Sequence, residues 1–444
     1  MRILALLTIG FVWAIQEVGA SNSKEGRNEE HQSGWRHPGP PTKHCTVQHN
    51  RNGADDTSNI LKAFKECSTD SVITFLPANY SAYTPITLAG LDNVIIRLNG
   101  NLLLPNNMTK VQNEITVTTN QPSTYATPWF YIHDLFVKWL MLIGSSDFEW
   151  GRFYGFGQHW WDLGNRTHRP QLATFNVTNG LLRNLKVIKP IAWGWNLPGK
   201  NLRVENHFVD AKPDNGTRQS TVNLIFLLSG INVSGQNITI DGYYGHNGDD
   251  CVSAINGARN VFATNGYCGF SSHGLSIGSL GSGGSNQTVQ GVVFKNWTMD
   301  GAVYGARFKS WTGGAGFADN VTWEDITLVN VSTAIFVTQN YFDQGLGGKP
   351  NTTSNSSTHI SNFKYNNFHG SLNANWNTTQ SIIFDLYPGT AVNISVGKIQ
   401  VHPYEKPANE TTVICDPATL VAGEQATLGF NCTRGPYVAT PIAK

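Results

Sequence analysis

Short apolar runs separated by polar turn residues follow one another along most of the chain. Runs at residues 72–75, 93–98 and 102–104 have the length of strands, and Asn, Gly, Ser and Pro lie around them. Residues 111–147 form a longer, less regular insertion that is rich in aromatic side chains. With few charged residues and many Gly, Asn, Thr and Ser, the pattern predicts a chain of strands and turns with few helices.

A short strand recurs from Asn201 onward; four copies begin with Asn, and a similar apolar strand begins at Gly291. Its starts lie 36, 23, 31 and 29 residues apart, and each is followed by a turn and another short strand without helical spacing. Short strands at this period predict an all-β fold, a right-handed parallel β-helix in which coils stack. A β-propeller is the alternative, but its blades need longer repeats and a clearer hairpin signal. The strand starts are Asn201, Asn237, Asn260, Gly291 and Asn320.

A short helix is predicted near the start of this strand-rich region. Asp55 and Asp56 precede an apolar face made by Ile60, Ala63 and Phe64, as at the capped start of an amphipathic helix. We assign the two acids to capping rather than to catalysis. A helix here would cover the open N-terminal end of the solenoid.

Charge and composition limit the classes of partner. The chain has 444 residues, of which 14% are charged, and a formal net charge of +1. This balance shows neither the basic footprint of a nucleic-acid-binding protein nor a polybasic membrane patch. We therefore expect no nucleic-acid partner and no membrane association. We also expect the chain to act as a monomer.

The N-terminus has the pattern of a secretory signal peptide at residues 1–20. Arg2 precedes a short apolar stretch, and small residues at 18–20 form a cleavage site. The apolar stretch is shorter than a membrane span requires. Residues 21–44 are polar and contain several Pro, which predicts a disordered leader. Residues 45–444 are then expected to form a single domain of a secreted, extracellular protein.

Secretion makes the six cysteines candidates for disulfide bonds. They fall into three pairs, each bracketing a short segment, and we expect each local pair to be bonded. The frequent Asn-x-Ser/Thr sequences are either glycan acceptors or simple turn residues. The expected disulfides are Cys45–Cys67, Cys251–Cys268 and Cys415–Cys432.

Three groups of polar residues lie beside apolar strands in the middle of the repeats. Asp249 and Asp250 come first, His273 follows on the next coil, and Arg307 and Lys309 follow on the one after. Each group falls where a short apolar strand ends, so stacking of the coils would bring the groups together. Paired carboxylates suit acid–base hydrolysis of a glycosidic bond, and an Arg-x-Lys pair on one strand face suits an acidic substrate. Each group alone could be a solvated turn or a surface ion pair, but the three in this order predict a site.

The two neighbouring acids require a break in the strand. On a regular strand Asp249 and Asp250 would point to opposite faces, and one charge would be buried without a partner. Gly248 makes a turn or a bulge easy here, so both acids can face one cleft. Two like charges this close push their pKa values apart, which would let one acid keep its proton.

These blocks resemble glycoside hydrolase family 28, the polygalacturonases, from about Cys45 to the end of the repeats. The matching sequences are NGDDC at 247–251, SHG at 272–274 with LSIGSLG after it, RFK at 307–309, and Tyr341 after TQN. The Asn-Gly form of the first block, Trp311 and the aromatic segment near Trp129 are most similar to the fungal exo-acting branch.

The resemblance implies a pectin-lyase-like β-helix that hydrolyses the α-1,4-linked galacturonic acid of pectin, polygalacturonate, with inversion. It makes Asp249 the general acid and Asp250 a residue that helps to activate water, with His273 supporting the site. It implies no metal and no cofactor. A pectate lyase is disfavoured, because the calcium-binding acid cluster that such proteins use is missing. The residues implied in holding the sugar and its carboxylate are Arg307, Lys309 and Tyr341.

One segment departs from the family pattern. The family has an Asn-Thr-Asp-Gly block one coil earlier, whose Asp shares the activation of water, and here the aligned residues are Leu227, Leu228, Ser229 and Gly230. Serine can hydrogen-bond a water molecule but cannot accept its proton near neutral pH, so activity could be reduced. Two alternatives therefore stay open. One is a catalytically impaired β-helix protein that binds acidic cell-wall polysaccharide, and the other is a hydrolase of rhamnogalacturonan.

Overall fold

The structure, a computed structural model, describes a large part of the chain from residue 39 onward. The predicted signal peptide, most of the predicted leader, and Leu227 and Leu228 lie outside the described residues. The first strand begins at Lys43, inside the segment predicted to be a disordered leader. The described residues are 39–119, 126–134, 139–165, 167–214, 229–341, 356–373, 380–403, 411–421, 423, 428–430, 432 and 440–441.

The described chain consists almost entirely of strands, with three short α-helices. The helices are α1 (Thr57–Glu66), α2 (Met108–Thr119) and α3 (Gln158–Leu163). The strands of the N-terminal half are β1 (Lys43–Thr46), β2 (Thr69–Phe75), β3 (Asn79–Ser81), β4 (Ile86–Leu88), β5 (Asp92–Leu98), β6 (Asn101–Leu103), β7 (Ala126–Asp134), β8 (Leu140–Gly144), β9 (Arg152–Tyr154), β10 (Pro170–Arg183), β11 (Lys186–Ile188), β12 (Trp195–Leu197) and β13 (Lys200–Asp210). Those of the C-terminal half are β14 (Ile231–Val233), β15 (Gln236–His246), β16 (Val252–Ala254), β17 (Arg259–Gly269), β18 (Leu275–Leu280), β19 (Asn286–Asp300), β20 (Tyr304–Trp311), β21 (Ala315–Val331), β22 (Thr333–Tyr341), β23 (His359–Leu372), β24 (Gln380–Asp385), β25 (Ala391–His402), β26 (Thr412–Cys415) and β27 (Thr440–Pro441).

Parallel pairing between successive coils confirms the predicted parallel β-helix. From β12 onward, shorter and longer strands alternate along the chain. The longer strands β13, β15, β17, β19, β21, β23 and β25 pair with one another in order. The shorter strands β12 to β26 form a second parallel sheet in the same way. This topology excludes the propeller, and among the described residues only β27 pairs antiparallel, with β26.

The core is built from rows of apolar side chains in register. Equivalent positions on successive long strands all point inward, and each side chain in the row named below is at most 2% exposed. Burying one such side chain contributes about 1.5–3 kcal/mol, so the coils stabilise one another by repetition. The row consists of Leu202, Ile238, Val261, Val292, Val321, Phe363 and Ile394.

The repeated Asn residues form a hydrogen-bonded ladder. Asn201 Nδ2 donates to Asn179 Oδ1 at 2.8 Å, Asn237 to Asn201 at 2.9 Å, and Asn260 to Asn237 at 3.1 Å. Asn201, Asn237 and Asn260 have φ of 54°, 56° and 53°, in the left-handed region that Asn tolerates. Gly291 takes the next place with φ of 67°. The sequence repeat therefore marks a bend that each coil makes at the same place.

Asn201→Ala is expected to destabilise the protein by about 1–2 kcal/mol more than Asn201→Gly. Both substitutions remove the ladder bonds, but only Ala adds the steric cost of a Cβ in the left-handed region. Urea unfolding of the two variants beside the wild type measures the difference. Equal midpoints for Ala and Gly would contradict the conformational part of this explanation.

Helix α1 is the predicted N-terminal helix, and it covers the first coils. It buries Ile60 and Phe64, and the Phe64 ring lies 6.4 Å from the ring of Phe75 in β2. None of the helices in the described ranges is both long and apolar enough to cross a membrane.

The sequence predicts that both acids before α1 cap the helix, but only one of them does so. Asp55 Oδ1 accepts a hydrogen bond from the N–H of Thr57 at 3.0 Å, so Asp55 caps the helix. Asp56 makes no side-chain cap. Its carboxylate accepts the N–H groups of Asn50 at 2.6 Å and Ser81 at 2.8 Å, which joins two loops to the helix start.

The predicted irregular insertion is more regular than expected. It contains most of α2 and the strands β7 and β8, which pair with β10 and so belong to the coils. Trp129 in β7 is fully buried, and its indole N–H donates to the carbonyl of Ala82 at 3.0 Å. The aromatic side chain at this position therefore belongs to the core.

Candidate active site

The acid pair lies in the turn between β15 and β16. β15 ends at His246 and β16 begins at Val252, so the predicted break in the strand is confirmed. Asn247 holds the turn, because its Nδ2 donates to the carbonyl oxygens of Asp249 at 2.8 Å and Asp250 at 3.1 Å. Asp249 is 8% exposed and Asp250 only 2%. Both acids are thus held rigidly at the edge of the short-strand sheet.

His273 lies in the corresponding turn of the next coil, between β17 and β18. Its backbone N–H donates to the carbonyl of Asp249 at 2.9 Å, and its Nδ1 lies 3.0 Å from Asp249 Oδ1. The predicted disulfide Cys251–Cys268 is present and joins the end of the acid-bearing turn to β17, close to the turn that carries His273. The other two predicted disulfides, Cys45–Cys67 and Cys415–Cys432, are also present.

Arg307 and Lys309 lie within β20, so the expectation that each polar group follows a strand is wrong for this pair. They share one face of the strand, while Phe308 between them is fully buried in the core. Lys309 Nζ donates to Asp250 Oδ2 at 2.7 Å, and Arg307 Nη1 lies 3.6 Å from Asp250 Oδ1. The two cations therefore surround a buried carboxylate at the floor of the site.

Two tyrosine rings flank the Arg307 guanidinium. Tyr341, the last residue of β22, lies 5.6 Å from Arg307 and 5.8 Å from Lys309 Nζ. Tyr304, the first residue of β20, lies 4.9 Å from Arg307. These contacts suit cation–π attraction, and they fix the direction of the guanidinium. The sequence predicts Tyr341 but misses Tyr304, whose position three residues before Arg307 gives no periodic signal.

Two further residues beside the acids were not predicted from the sequence. The Ser276 hydroxyl donates to Asp250 Oδ1, and Ser276 pairs in register with Arg307. The Tyr243 hydroxyl donates to Asn247 Oδ1 at 3.2 Å. Ser276 lies in the LSIGSLG block, but only the register between coils shows that it faces Asp250.

Tyr243→Phe is expected to lower kcat about tenfold with little change in KM. Tyr243 is 2% exposed, and burial raises the pKa of its hydroxyl, so the group remains a donor that orients Asn247. Without it, the buried Asn247 oxygen loses a partner, and the turn that carries the acids loosens. Steady-state kinetics on an oligomeric substrate measures the effect.

Tyr365→Phe is the matched control for this substitution. Tyr365 is 1% exposed, and in the described part of the chain its hydroxyl has no hydrogen-bond partner. A Tyr243→Phe protein whose kcat equals that of Tyr365→Phe would remove the positioning role of Tyr243.

The charges around Asp249 reverse the pKa direction expected from the sequence. Burial acts to raise the pKa of Asp249, but the hydrogen bond from His273 and the positive charges of Lys309 and Arg307 outweigh it. The pKa of Asp249 is therefore lowered, not raised, in the free protein. An acid role for Asp249 requires something that offsets these positive charges.

His273 lies between Asp249 and Arg307, and its hydrogen bonding depends on whether Asp249 is protonated. Burial lowers the pKa of His273, and the charge of Arg307 lowers it further, so the imidazole is neutral near pH 7. Arg307 Nη1 and Asp249 Oδ1 both lie 3.0 Å from Nδ1. Arginine can only donate, so Nδ1 offers either a lone pair to Arg307 or a proton to the Asp249 carboxylate. Protonation of Asp249 therefore leaves the Nδ1 lone pair to accept a hydrogen bond, either from Arg307 or from the new Asp249 hydroxyl.

Ser229 lies beside Asp250, one coil earlier. Ile231 pairs with Val252, and the Gly230 N–H donates to the Asp250 carbonyl at 2.9 Å, which puts Ser229 and Asp250 in one row. Ser229 is 4% exposed. Within the described ranges, the cluster of acidic and imidazole groups here consists of Asp249, Asp250 and His273, with no third carboxylate.

The spacing of this cluster raises the question of whether it suits a metal ion or proton transfer. One ligand atom each of Asp249, Asp250 and His273 lies within 4.8 Å of the others, which is close enough to hold a metal ion. However, Lys309 and Arg307 already surround Asp250 and would repel a cation, so the arrangement suits proton transfer better.

The fold and this group of residues together define a carbohydrate-active β-helix protein. The family model "Glycosyl hydrolases family 28" matches residues 94–416. The chain therefore belongs to glycosyl hydrolases family 28 and is a glycoside hydrolase by family.

Relatives within the family are similar over most of the chain. It is 34% identical over 423 residues to the "Probable exopolygalacturonase C" of Aspergillus terreus, with 89% of this chain and 93% of the relative covered. With the protein of the same name from Aspergillus niger it is 33% identical over 412 residues, covering 86% and 89%. Among solved structures, the endo-xylogalacturonan hydrolase from Aspergillus tubingensis has the same fold, with a TM-score of 0.70 at 20% identity and coverage of 88% and 99%.

Proposed function

We propose that this chain is an exo-acting polygalacturonase that hydrolyses the α-1,4-galacturonosyl linkages of polygalacturonate with inversion. The observation that carries the proposal is the pairing of an acid cluster with Arg307 and Lys309 on one face of the short-strand sheet. Cations at this place suit a substrate with one carboxylate per sugar. The names of the relatives support exo action on polygalacturonate, and they do not favour rhamnogalacturonan.

The two acids take different roles because their surroundings differ. The Asp249 side chain is 11% exposed and contacts His273, whereas that of Asp250 is 3% exposed and pairs with Lys309. We assign Asp249 as the general acid that protonates the leaving oxygen, because it is the more accessible of the two. Asp250 orients and helps to deprotonate the attacking water. His273 positions Asp249.

The substrate itself supplies the charge that lets Asp249 act as an acid. A galacturonate carboxylate bound by Arg307, Lys309 and Tyr341 brings a negative charge close to the cations that lower the pKa of Asp249. The pKa of Asp249 then rises in the complex, and the acid is protonated when substrate is present. No metal or cofactor takes part in this scheme.

The pH dependence of the rate is expected to differ between free and bound enzyme. A general acid must hold its proton, so the rate falls as pH rises through its pKa. That falling limb is expected at higher pH in kcat, which reports the complex, than in kcat/KM, which reports the free enzyme. Full pH profiles with a galacturonate oligomer measure both. Coincident limbs, or the reverse order, would contradict the role given to the substrate carboxylate.

The remaining expectations about the whole chain are part of the proposal. We infer that residues 1–20 are a signal peptide, that 21–44 are a leader, and that 45–444 act as one hydrolase domain. The protein would then work outside the cell, as a monomer, on pectic polysaccharide. The three disulfides suit an oxidising extracellular environment.

Ser229 supports a second candidate function, a catalytically impaired protein that binds acidic polysaccharide. The place beside Asp250 holds a hydroxyl in this chain, where the resemblance implies a second carboxylate base. Loss of a helping base costs on the order of 10²–10⁴-fold in rate. The two candidates therefore differ in turnover, while both bind galacturonate.

A time course of product release from polygalacturonate distinguishes the candidates. The proposal predicts monogalacturonate as the first and main product of the wild type. Ser229→Asp is expected to increase the rate, and Ser229→Asn is its control for size without charge. Product from Ser229→Asp but none from the wild type would favour the impaired protein. Oligomers as the first products would overturn exo action.

A further inference from the structure

The face of the short-strand sheet that carries Arg307 and Lys309 changes in character on the C-terminal side of β20. In register, Arg307 is followed by Phe336 on β22 and Ile383 on β24, and Lys309 is followed by Thr338 and Asp385. Side chains in one such row share a face of the sheet. We call Phe336, Thr338, Ile383 and Asp385 the distal floor.

The distal floor offers a binding surface rather than a packed core. Phe336 and Ile383 are partly exposed and Asp385 is exposed, while the inward neighbours Val337 and Phe384 are buried. Adjacent strands lie about 4.8 Å apart, so the floor reaches about 10 Å along the solenoid from Arg307. It therefore continues directly from the proposed carboxylate site.

Asp385 provides a fixed negative charge on this floor. The Thr338 hydroxyl donates to Asp385 Oδ2 at 2.7 Å, and Asn340 Nδ2 donates to Oδ1 at 2.8 Å. Among the residues that the structure describes, no Lys, Arg or His forms an ion pair with Asp385. The distal floor thus has no counterpart of the cations that surround Asp250. It presents the negative charge of Asp385 in the row that begins with Lys309.

The apolar part of the floor continues the aromatic lining of the site. The Phe336 ring stacks on Tyr304 with centroids 4.8 Å apart, and Tyr304 lies under the Arg307 guanidinium. A sugar unit that leaves the Arg307 site on this side would meet an apolar ring first and a carboxylate next. A second galacturonate anion is poorly suited to both.

We propose that the distal floor is a subsite for an uncharged sugar unit, a methyl-esterified galacturonate of the pectin chain. The ester removes the repulsion from Asp385, and its methyl group packs on Phe336 and Ile383. This inference rests on the proposed function, because it requires a free galacturonate at Arg307 and Lys309. It assigns the enzyme a preference for partly esterified chains over fully de-esterified ones.

The test compares short oligogalacturonates that differ in one methyl ester. Trimers esterified at a single unit, made for each unit in turn, are compared with the unesterified trimer. One positional isomer is expected to have a kcat/KM about fivefold higher than the unesterified trimer, as expected for one like-charge contact in a largely aqueous cleft. No preference for any singly esterified trimer would overturn the proposal.

The Asp385→Asn variant tests whether the charge of Asp385 causes the preference for an esterified trimer. It is expected to raise kcat/KM for the unesterified trimer about fivefold and to leave the preferred ester unchanged. Asp241→Asn is the control, because it also removes one charge and one side-chain acceptor, but on the long-strand sheet. If the Asp385→Asn protein still prefers the esterified trimer, the role of Asp385 is wrong. The same holds if Asp241→Asn abolishes the preference to the same extent.

Binding measurements test the subsite independently of the proposed hydrolase function. If no trimer is hydrolysed, the hydrolase proposal fails, but calorimetry of the same trimers still reports the distal floor. Tighter binding of one ester than of the unesterified trimer, abolished by Asp385→Asn, would support the subsite alone. Equal binding of all trimers would refute it.

Discussion

Replacing Asp249 with Asn is expected to lower kcat on galacturonate oligomers by about 10²–10⁴-fold, the usual contribution of a general acid. Asn has the same shape, and its Oδ1 can still accept the Asp250 N–H, a bond of 2.9 Å in the wild type. What is lost is the proton that the leaving oxygen requires. The turn should therefore keep its structure while the chemistry slows.

Two measurements keep this prediction specific. Calorimetry with a galacturonate oligomer is expected to show affinity within a few-fold of the wild type, because Arg307 and Lys309 are unchanged. Urea unfolding is expected to show a similar midpoint. An Asp249→Asn protein with the wild-type rate would falsify the assignment of the acid.

Lys309→Met is expected to lower the free energy of unfolding by about 3 kcal/mol or more. Lys309 and Asp250 are 8% and 3% exposed at their side chains and lie 2.7 Å apart. Removing one partner of a buried ion pair leaves the other charge poorly compensated, which is the costly case. Arg307 at 3.6 Å and the Ser276 hydroxyl offset only part of the loss. KM for galacturonate oligomers is expected to rise as well.

Surface and double variants show whether burial is the cause. Lys295 pairs with Glu324 at 3.1 Å but is 43% exposed, so Lys295→Met is expected to change stability little. Adding Asp250→Asn to Lys309→Met is expected to recover part of the stability, because the buried carboxylate that lost its closest cation is then replaced by a neutral group. Similar losses for Lys295→Met and Lys309→Met would contradict this explanation.

Sequence reasoning predicted those features that local chemistry determines. The Asn that recurs at each bend marks the coils, because few residues other than Gly adopt the left-handed region without strain. Gly248 between Asn247 and Asp249 marks a break in the strand, and the structure has its turn there. The local cysteine pairs were also sufficient to predict the three disulfides.

Features that depend on register between coils could not be predicted in this way. The coils differ in length, so sequence spacing does not show that Ser276 faces Asp250 or that Phe336 follows Arg307. The direction of the Asp249 pKa was wrong for the same reason. The expectation considered the neighbouring acid, whereas the hydrogen bond from His273 and the cations on β20 together outweigh the effect of burial.

The most direct test of the central claim is proton NMR of trigalacturonate during hydrolysis by the wild-type protein. The claim is that Asp249 and Asp250 hydrolyse the linkage with inversion although Ser229 takes the place of a third carboxylate. The predicted result is release of monogalacturonate that is at first the β-anomer, before mutarotation produces the α-anomer. Initial α-anomer, or no hydrolysis at enzyme concentrations that saturate binding, would contradict the account.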